Sequence, residues 1–404
     1  MKKGFWTFRY TLINMTYFVA FCTIHALAAV YLLANGFTNT EVGILLALAN
    51  IVSAICQPFF ASIIDKPGPL TNRRFIIISV MIILAGSVIL MFGVGKAAIF
   101  VIYALIYMVQ FAYQPVMTAL CFEYQKAGCD IYYGLARGLG SASFAVTSAF
   151  IGSAVQRKGV DILLVVNIIS MILSAIVVFT FKKPETVNEI KEDDEKSATD
   201  KESQAKAHNN LASFIKTYPA FSLFLIGTIC FFFAHNMIND FMIQIIRSLG
   251  GNETQLGYAN FLQAILELPV MAVIGFILKK ITSDRLLIIS GTAFFVKILI
   301  LIFATNMAMM YISQSCQLFA YAVFIPASAY YVSSTMNELD QVKGQAFVTS
   351  AITIGGVFSN LLSGVILDHM GIKTMLICGT SVCAIGVIIA IYAMKKLPKV
   401  NTEI

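Results

Sequence analysis

Apolar runs close to or above the roughly 20 residues that carry a helix across a bilayer recur along the whole chain. They fall near residues 8–33, 40–62, 74–95, 97–121, 131–155, 160–182, 214–247, 254–278, 284–304, 307–335, 343–366 and 372–394. Lipid offers the backbone no hydrogen bonds, so a spanning segment is a helix or part of a closed barrel; runs this long without strict alternation exclude the barrel. The fold class that follows is all-α integral membrane, with twelve transmembrane helices. Composition agrees, since 58% of the 404 residues are hydrophobic and 12% charged, with a mean hydropathy of +0.82, too apolar for a wetted globular surface. The first run is longer than a signal core and lacks a small-residue cleavage site, so it reads as a retained span.

Basic residues resist translocation and so orient the chain. With both termini cytoplasmic, only Lys96, Arg157, Lys158, Arg247 and Lys373 fall in outer segments. Apart from Arg137 and Lys297 inside spans, the rest lie inside, and this bias accounts for the formal charge of +7 without nucleic acid. The expected location is the cytoplasmic (inner) membrane, multi-pass. One segment breaks the apolar pattern: "KKPETVNEIKEDDEKSATDKESQAKAHNN", residues 182–210, is charged and nearly free of large apolar groups, so it supports no packed core. It divides the chain into an N-terminal six-helix bundle (1–182), a cytoplasmic linker (183–213) and a C-terminal six-helix bundle (214–404).

The halves look duplicated. "YLLANGFTNTEVGILLALANIVSAICQPFFASIIDK" runs parallel to "IIRSLGGNETQLGYANFLQAILELPVMAVIGFILKK", each with a glycine turn, a further glycine (Gly43, Gly257), an apolar run, a proline (Pro58, Pro269) and a basic loop. His25 and His235 precede corresponding glycines with spacings that differ by about one helical turn. Parallel repeats related by an axis along the membrane normal place a substrate site between them, near the midplane.

No soluble catalytic domain fits in these loops, and the chain has no GxxxxGK[ST] loop, HExxH pair or GxSxG elbow. An enzyme is not expected, nor a cofactor. The eight cysteines lack CxxC spacing and read as buried thiols without a metal. Uphill movement of a solute would then need an ion gradient, with titratable or ion-coordinating groups inside the membrane.

Ionisable side chains at a helix centre cost roughly 2.5–3.5 kcal/mol on insertion scales, so they face a bundle interior, a cavity or a partner. Arg137 sits in "YYGLARGLGSASFA", where Gly134, Gly138 and Ser141 share its face and leave room for a neighbouring helix or a ligand; Phe144 lies two turns on. Its fork suits carboxylates and vicinal hydroxyls; the alternative is a structural ion pair with Glu123 or another acid. Tyr103, Tyr107, Gln110 and Gln114 line one face of the fourth helix, and Gln314, Gln317 and Tyr321 do so on the tenth. His235, Asn239 and Asp240 cluster on the seventh, and Thr353 and Asn360 share a face on the eleventh. Together they describe a polar, aromatic-lined cavity for a hydroxylated solute. Glu267 stands just before Leu268 and Pro269, where a proline can kink the helix. It is the leading proton site, with Lys297 as counter-charge, and a static Glu267–Lys297 pair is the competing reading. His25, His235 and Asp240 are further candidates for proton coupling.

Twelve helices, two repeats and the cytoplasmic loop "ASIIDKPGPLTNRR" resemble the major facilitator superfamily. Asp65, Arg73 and Arg74 match its loop motif with Ser62 in place of the expected glycine. The second copy, "GFILKKITSDR", keeps Gly275 and Arg285 and lacks the aspartate. The resemblance implies that these charges gate access. Within the superfamily, Tyr133, Gly134, Arg137, Gly140, Ser141 and Phe144 resemble the fifth-helix pattern of the lactose permease, nucleoside symporter and phenylpropionate permease branch. That implies substrate binding by Arg137 and stacking at Phe144. Lys297 and Glu267 fall at or near charged positions of the lactose permease. Departures are as telling: Phe144 replaces the stacking tryptophan, Ala119 or Thr118 replaces the fourth-helix glutamate, and Gln314, Gln317 and Ala320 replace the proton-coupling trio of the tenth helix.

The expected function is a secondary active transporter, a proton-coupled symporter working by alternating access as a monomer. Its substrate is a small hydroxylated solute such as a sugar or nucleoside. The alternatives are an aromatic carboxylate permease, a multidrug efflux protein and a non-transporting membrane sensor. The substrate set is Arg137, Phe144, Tyr107, Gln110, Gln114, Asn239, Gln314, Gln317, Tyr321 and Asn360. The proton set is Glu267, Lys297, His235, Asp240 and His25.

Overall fold

The computed structural model describes residues 4–64, 68–182 and 211–396, and in that range it is all helix apart from connections. Most of the linker expected over 183–213, together with Asp65, lies outside the described residues. Its last three residues instead begin a short helix, Leu211–Thr217. That helix is separate from the next because Pro219 pushes Tyr218 out of the helical region (φ −122°, ψ 64°) and takes the first helical position itself.

The first bundle contains α1 (Phe5–Ala26 bent 51° into Ala28–Ala34), α2 (Asn39–Ile64), α3 (Asn72–Leu90), α4 (Lys96–Lys126), α5 (Tyr133–Lys158) and α6 (Ile162–Thr180). The second contains α7 (Pro219–Asp240, continued by Met242–Ser248), α8 (Glu253–Leu278), α9 (Ser283–Ile302), α10 (Met307–Thr335), α11 (Glu338–His369) and α12 (Gly371–Lys396). Among the described residues, ten of these helices are long and apolar enough to span a membrane, and the bent α1 makes eleven. The remaining one, α8, is 26 residues long. Its polar residues include Glu253, Gln255, Asn260, Gln263 and Glu267.

Corresponding features recur at one constant offset between the halves. Helices α1 and α7 break at Leu27 (φ −116°, ψ 19°) and Phe241 (φ −114°, ψ 26°), and a seven-residue helix follows each break. Then come Gly36 and Gly250, both in the left-handed region that favours glycine (φ 81° and 79°). Gly43 and Gly257 follow at the same offset. Neither break has a proline. In α1 the cause is a π turn over Cys22–Ala26, whose wider winding disrupts the hydrogen-bond ladder. Pro58 and Pro269 lie inside α2 and α8 but at different distances from the repeated glycines, so proline is not the repeated element.

The bundles meet along two seams, α2 against α11 and α5 against α8. Each seam is tightest at the face opposite the chain ends, here termed the far face. A Cβ on Gly43 would lie 2.1 Å from the Asn360 carbonyl oxygen, and one on Gly364 would lie 2.4 Å from that of Asn39. The other seam repeats this geometry, with Gly257 against the Ser148 carbonyl at 2.4 Å and Gly152 against that of Glu253 at 2.0 Å. Only glycine permits such backbone contact. Gly134 and Gly138, expected to admit a neighbour beside Arg137, face open space; the close approaches on α5 are at Gly140 and Gly152.

Candidate functional site: a polar region between the two bundles

In the first bundle, Arg137 is half-buried on α5 and donates from Nη1 to Ser141 Oγ at 3.0 Å. Its guanidinium carbon lies 4.3 Å from the centre of the Phe18 ring, a cation–π contact. Phe18 reaches that position because residue 140 is glycine; a Cβ there would sit 2.7 Å from its ring. Arg137 forms no ion pair with a carboxylate among the described residues. Glu123, its possible structural partner, instead accepts from Asn72 Nδ2 at 2.9 Å.

The His25 ring, beside the α1 break, stacks on Phe21 (4.0 Å between centres, 11° between planes) and meets Tyr107 at a tilt (3.7 Å, 36°), with Phe111 edge-on. Neither ring nitrogen makes a close hydrogen bond among the described residues, and the Gln110 amide lies beside the ring. Phe144 is half-buried, 6.4 Å from Phe21. Gln110 is fully buried and turned partly into its own bundle: Nε2 donates to Asn167 Oδ1 at 3.4 Å, and Oε1 is left free. Gln114 is half-buried one turn further along α4.

In the second bundle, Lys297 and Glu267 do not touch. Gln317 stands between them, its Oε1 accepting from Lys297 Nζ at 2.8 Å and its Nε2 donating to Glu267 Oε1 at 2.9 Å. Gln263 Oε1 is a second acceptor for the Lys297 ammonium at 3.4 Å. A direct static Glu267–Lys297 pair is therefore ruled out in this conformation, and Gln317, expected among the substrate ligands, joins the charged pair instead. Lys297 is wholly buried, where an ammonium needs such acceptors, while Glu267 stays partly open. His235 stacks on Tyr321 (5.3 Å, 17°) and shares a 2.9 Å hydrogen bond with Asn239 Nδ2. Tyr321 begins the second part of α10, just past a non-helical Ala320 whose carbonyl accepts from Ser290.

These groups face one region. Tyr107 of the first bundle lies within electrostatic reach of Asp240 of the second, which sits at the α7 break beside the Asn360 amide. Glu267 and Tyr321 are likewise within reach of Arg137 across the gap. Around this region several buried polar atoms make no close hydrogen bond among the described residues: His235 Nδ1, Asn239 Oδ1, Gln314 Oε1, Asn260 Nδ2, and atoms of two neighbouring pairs, His25 beside Gln110 and Asn360 beside Asp240. Gln314 otherwise meets only the Met310 sulfur of its own helix, at 3.7 Å.

Arg73 and Arg74 do not bridge the bundles here. Arg73 donates to the Val178 and Phe179 carbonyls at 3.1 and 2.7 Å, satisfying the end of α6, and Arg74 donates to the Pro69 carbonyl. Phe18, Asn260 and Gln263 escaped the sequence reading. For the last two a pattern existed: Asn260, Gln263 and Glu267 fall at i, i+3 and i+7, one polar face of α8.

No curated protein matches the sequence closely enough to count as a relative. Among solved structures, the nucleoside transporter NupG in a mutant form superposes with a TM-score of 0.79, covering 97% of this chain and 100% of that one at 14% identity. A bacterial homologue of the human lysosomal transporter Spinster, inward-facing and unoccupied, gives a TM-score of 0.68 at 11% identity, covering 97% of each chain. Peptide transporter POT in complex with sulfate gives 0.70 at 10%, covering 96% of this chain and 93% of that one. At these identities the likeness establishes the fold, and the sequence itself matches the MFS_1 like family over residues 10–378. The chain belongs to the MFS_1 like family and is a transporter of the major facilitator type.

Proposed function

We propose that the protein is a proton-coupled secondary transporter of a small, neutral, hydroxylated solute with a planar ring, of the nucleoside class, with sugars next. The observation that carries this reading is the group of buried polar atoms on both sides of the gap that lack close hydrogen bonds among the described residues. Leaving a buried donor or acceptor unmade costs about 1–3 kcal/mol. A solute with several hydroxyl and amide-like groups would recover that cost, which an apolar drug could not. The stacked rings at His25 and His235 offer flat apolar shelves beside those groups. Structural likeness to NupG, described as a nucleoside transporter, points the same way.

In this reading Arg137, Phe144, Tyr107, Gln110, Gln114, Asn239, Gln314, Tyr321 and Asn360 receive the solute. Glu267 exchanges the proton, with Gln317 and Lys297 holding its carboxylate in place, and Asp240, His25 and His235 are the reserve proton sites. The basic-residue bias assigns the termini to the cytoplasm, which makes the far face extracytoplasmic and this conformation closed to the outside. A second reading, uptake of an aromatic carboxylate, rests on the Arg137 guanidinium, which forms no ion pair with a carboxylate among the described residues.

Thermal-shift measurements on purified protein with nucleosides, hexoses and aromatic carboxylates separate the two readings. Stabilisation by nucleosides or hexoses is expected; stabilisation by carboxylates alone would favour the second.

A further inference from the structure

The first turn of α2 divides its backbone donors between two sources. Thr38 and Glu41 form a reciprocal box, the Thr38 N–H donating to Glu41 Oε2 at 2.8 Å and the Glu41 N–H to Thr38 Oγ1 at 3.2 Å. The two N–H groups between them, on Asn39 and Thr40, have no acceptor within their own helix. Both are taken by Asp368 at the end of α11, in the other bundle, at 3.1 and 2.7 Å. The same carboxylate accepts from Asn39 Nδ2 at 2.8 Å and Thr40 Oγ1 at 2.6 Å. Asn39 Oδ1 in turn accepts from Gln244 of the second bundle at 2.8 Å.

We propose that Asp368 is a latch that holds the far face of the transporter shut by capping a helix of the opposite bundle. The carboxylate completes the α2 N-terminus, where a negative charge is favoured, only while the bundles meet at that face. Rocking them apart strips four bonds from one side chain in a single step. Asp368 is solvent-exposed, so on opening its carboxylate and the freed N–H groups pass to water, and the latch is releasable in every cycle. The seams differ here although their glycine contacts repeat. Asp368 lies four residues beyond Gly364, whereas the residue four beyond Gly152 on α5 is Gln156. The N-terminus of α8 is capped within its own chain segment by Asn252 and Gln255. Sealing the face does not require the charge on both seams, so the carboxylate on one adds a biasing contact to a closure that packing already provides. This inference rests on alternating access and not on the identity of the solute.

Hydrogen–deuterium exchange of the full-length protein in nanodiscs, without solute, tests it. Asp368→Asn and Asp368→Ala are expected to raise exchange several-fold at the far-face ends of α2, α5, α8 and α11 together, and to lower it at their opposite ends. Thr40→Val, which removes one donor and keeps the carboxylate, should shift the same peptides less. Glu41→Gln breaks the 2.6 Å Lys96–Glu41 bridge at the same face but within one bundle, and should leave the opposite ends unchanged. Faster exchange confined to residues 36–42 and 366–370 in the Asp368 and Thr40 variants would mark a local cap and overturn the proposal, as would no change. Because no solute is added, the result stands apart from any failure of the substrate reading.

Discussion

Gly43 of α2 lies against the Asn360 carbonyl of α11, so closely that a Cβ at residue 43 would come within 2.1 Å of that oxygen. The contact joins the two bundles, and the Asn360 side chain beside it belongs to the polar region, next to Asp240. Closure of the far face and formation of the polar region are thus set by the same stretch of α11.

Gly43→Val should therefore wedge the far face open. A β-branched side chain cannot fit against the backbone of α11, which can relieve the clash only by moving away. Counterflow in proteoliposomes is expected to fall to background while the protein still purifies as a folded species. Gly134→Ala is the control, since a methyl group there meets nothing within 4 Å, and it should transport normally.

Gln317→Leu should separate Lys297 from Glu267. The wholly buried ammonium would keep only the 3.4 Å contact with Gln263. Removing one partner from a buried charged network costs about 3–5 kcal/mol, so a clear fall in melting temperature is expected. Lys297→Met combined with Glu267→Gln, which removes both charges, should lose less stability than Lys297→Met alone.

Glu267→Gln should retain counterflow and lose accumulation driven by a proton gradient. The amide preserves the shape and a hydrogen bond to Gln317 but cannot exchange a proton. Unchanged accumulation would remove Glu267 from the coupling step and turn attention to Asp240.

Arg137→Lys should weaken solute binding by about tenfold or more, a loss of about 1.4 kcal/mol. An ammonium lacks the planar fork and the broad contact with Phe18 that a guanidinium makes. Binding isotherms read this directly, and wild-type affinity would leave Arg137 a structural role only.

How far the sequence led depends on which force set each feature. Spans were legible because lipid enforces long apolar runs, and the repeat was legible through Gly43 and Gly257, whose small size the seams require. The breaks at Leu27 and Phe241 carry no proline or glycine, so nothing local announces them. Arg73 reads as a gate from its loop motif, yet here its donors end on the Val178 and Phe179 carbonyls, a choice that only tertiary contacts decide. Gln317 shares a stripe with Gln314 and Tyr321, and its side chain bonds to two charges on neighbouring helices. Asp368, at the end of a span, looks like any interfacial acid until α2 is packed beside it.

The most direct measurement is counterflow of labelled nucleosides and hexoses in proteoliposomes containing the purified protein. Exchange that saturates with solute and falls in Asn360→Leu and Arg137→Lys is the result expected of a polar solute received between the two bundles. Thermal stabilisation by such solutes with no exchange of any of them would contradict the account and mark the protein as a receptor that binds without carrying.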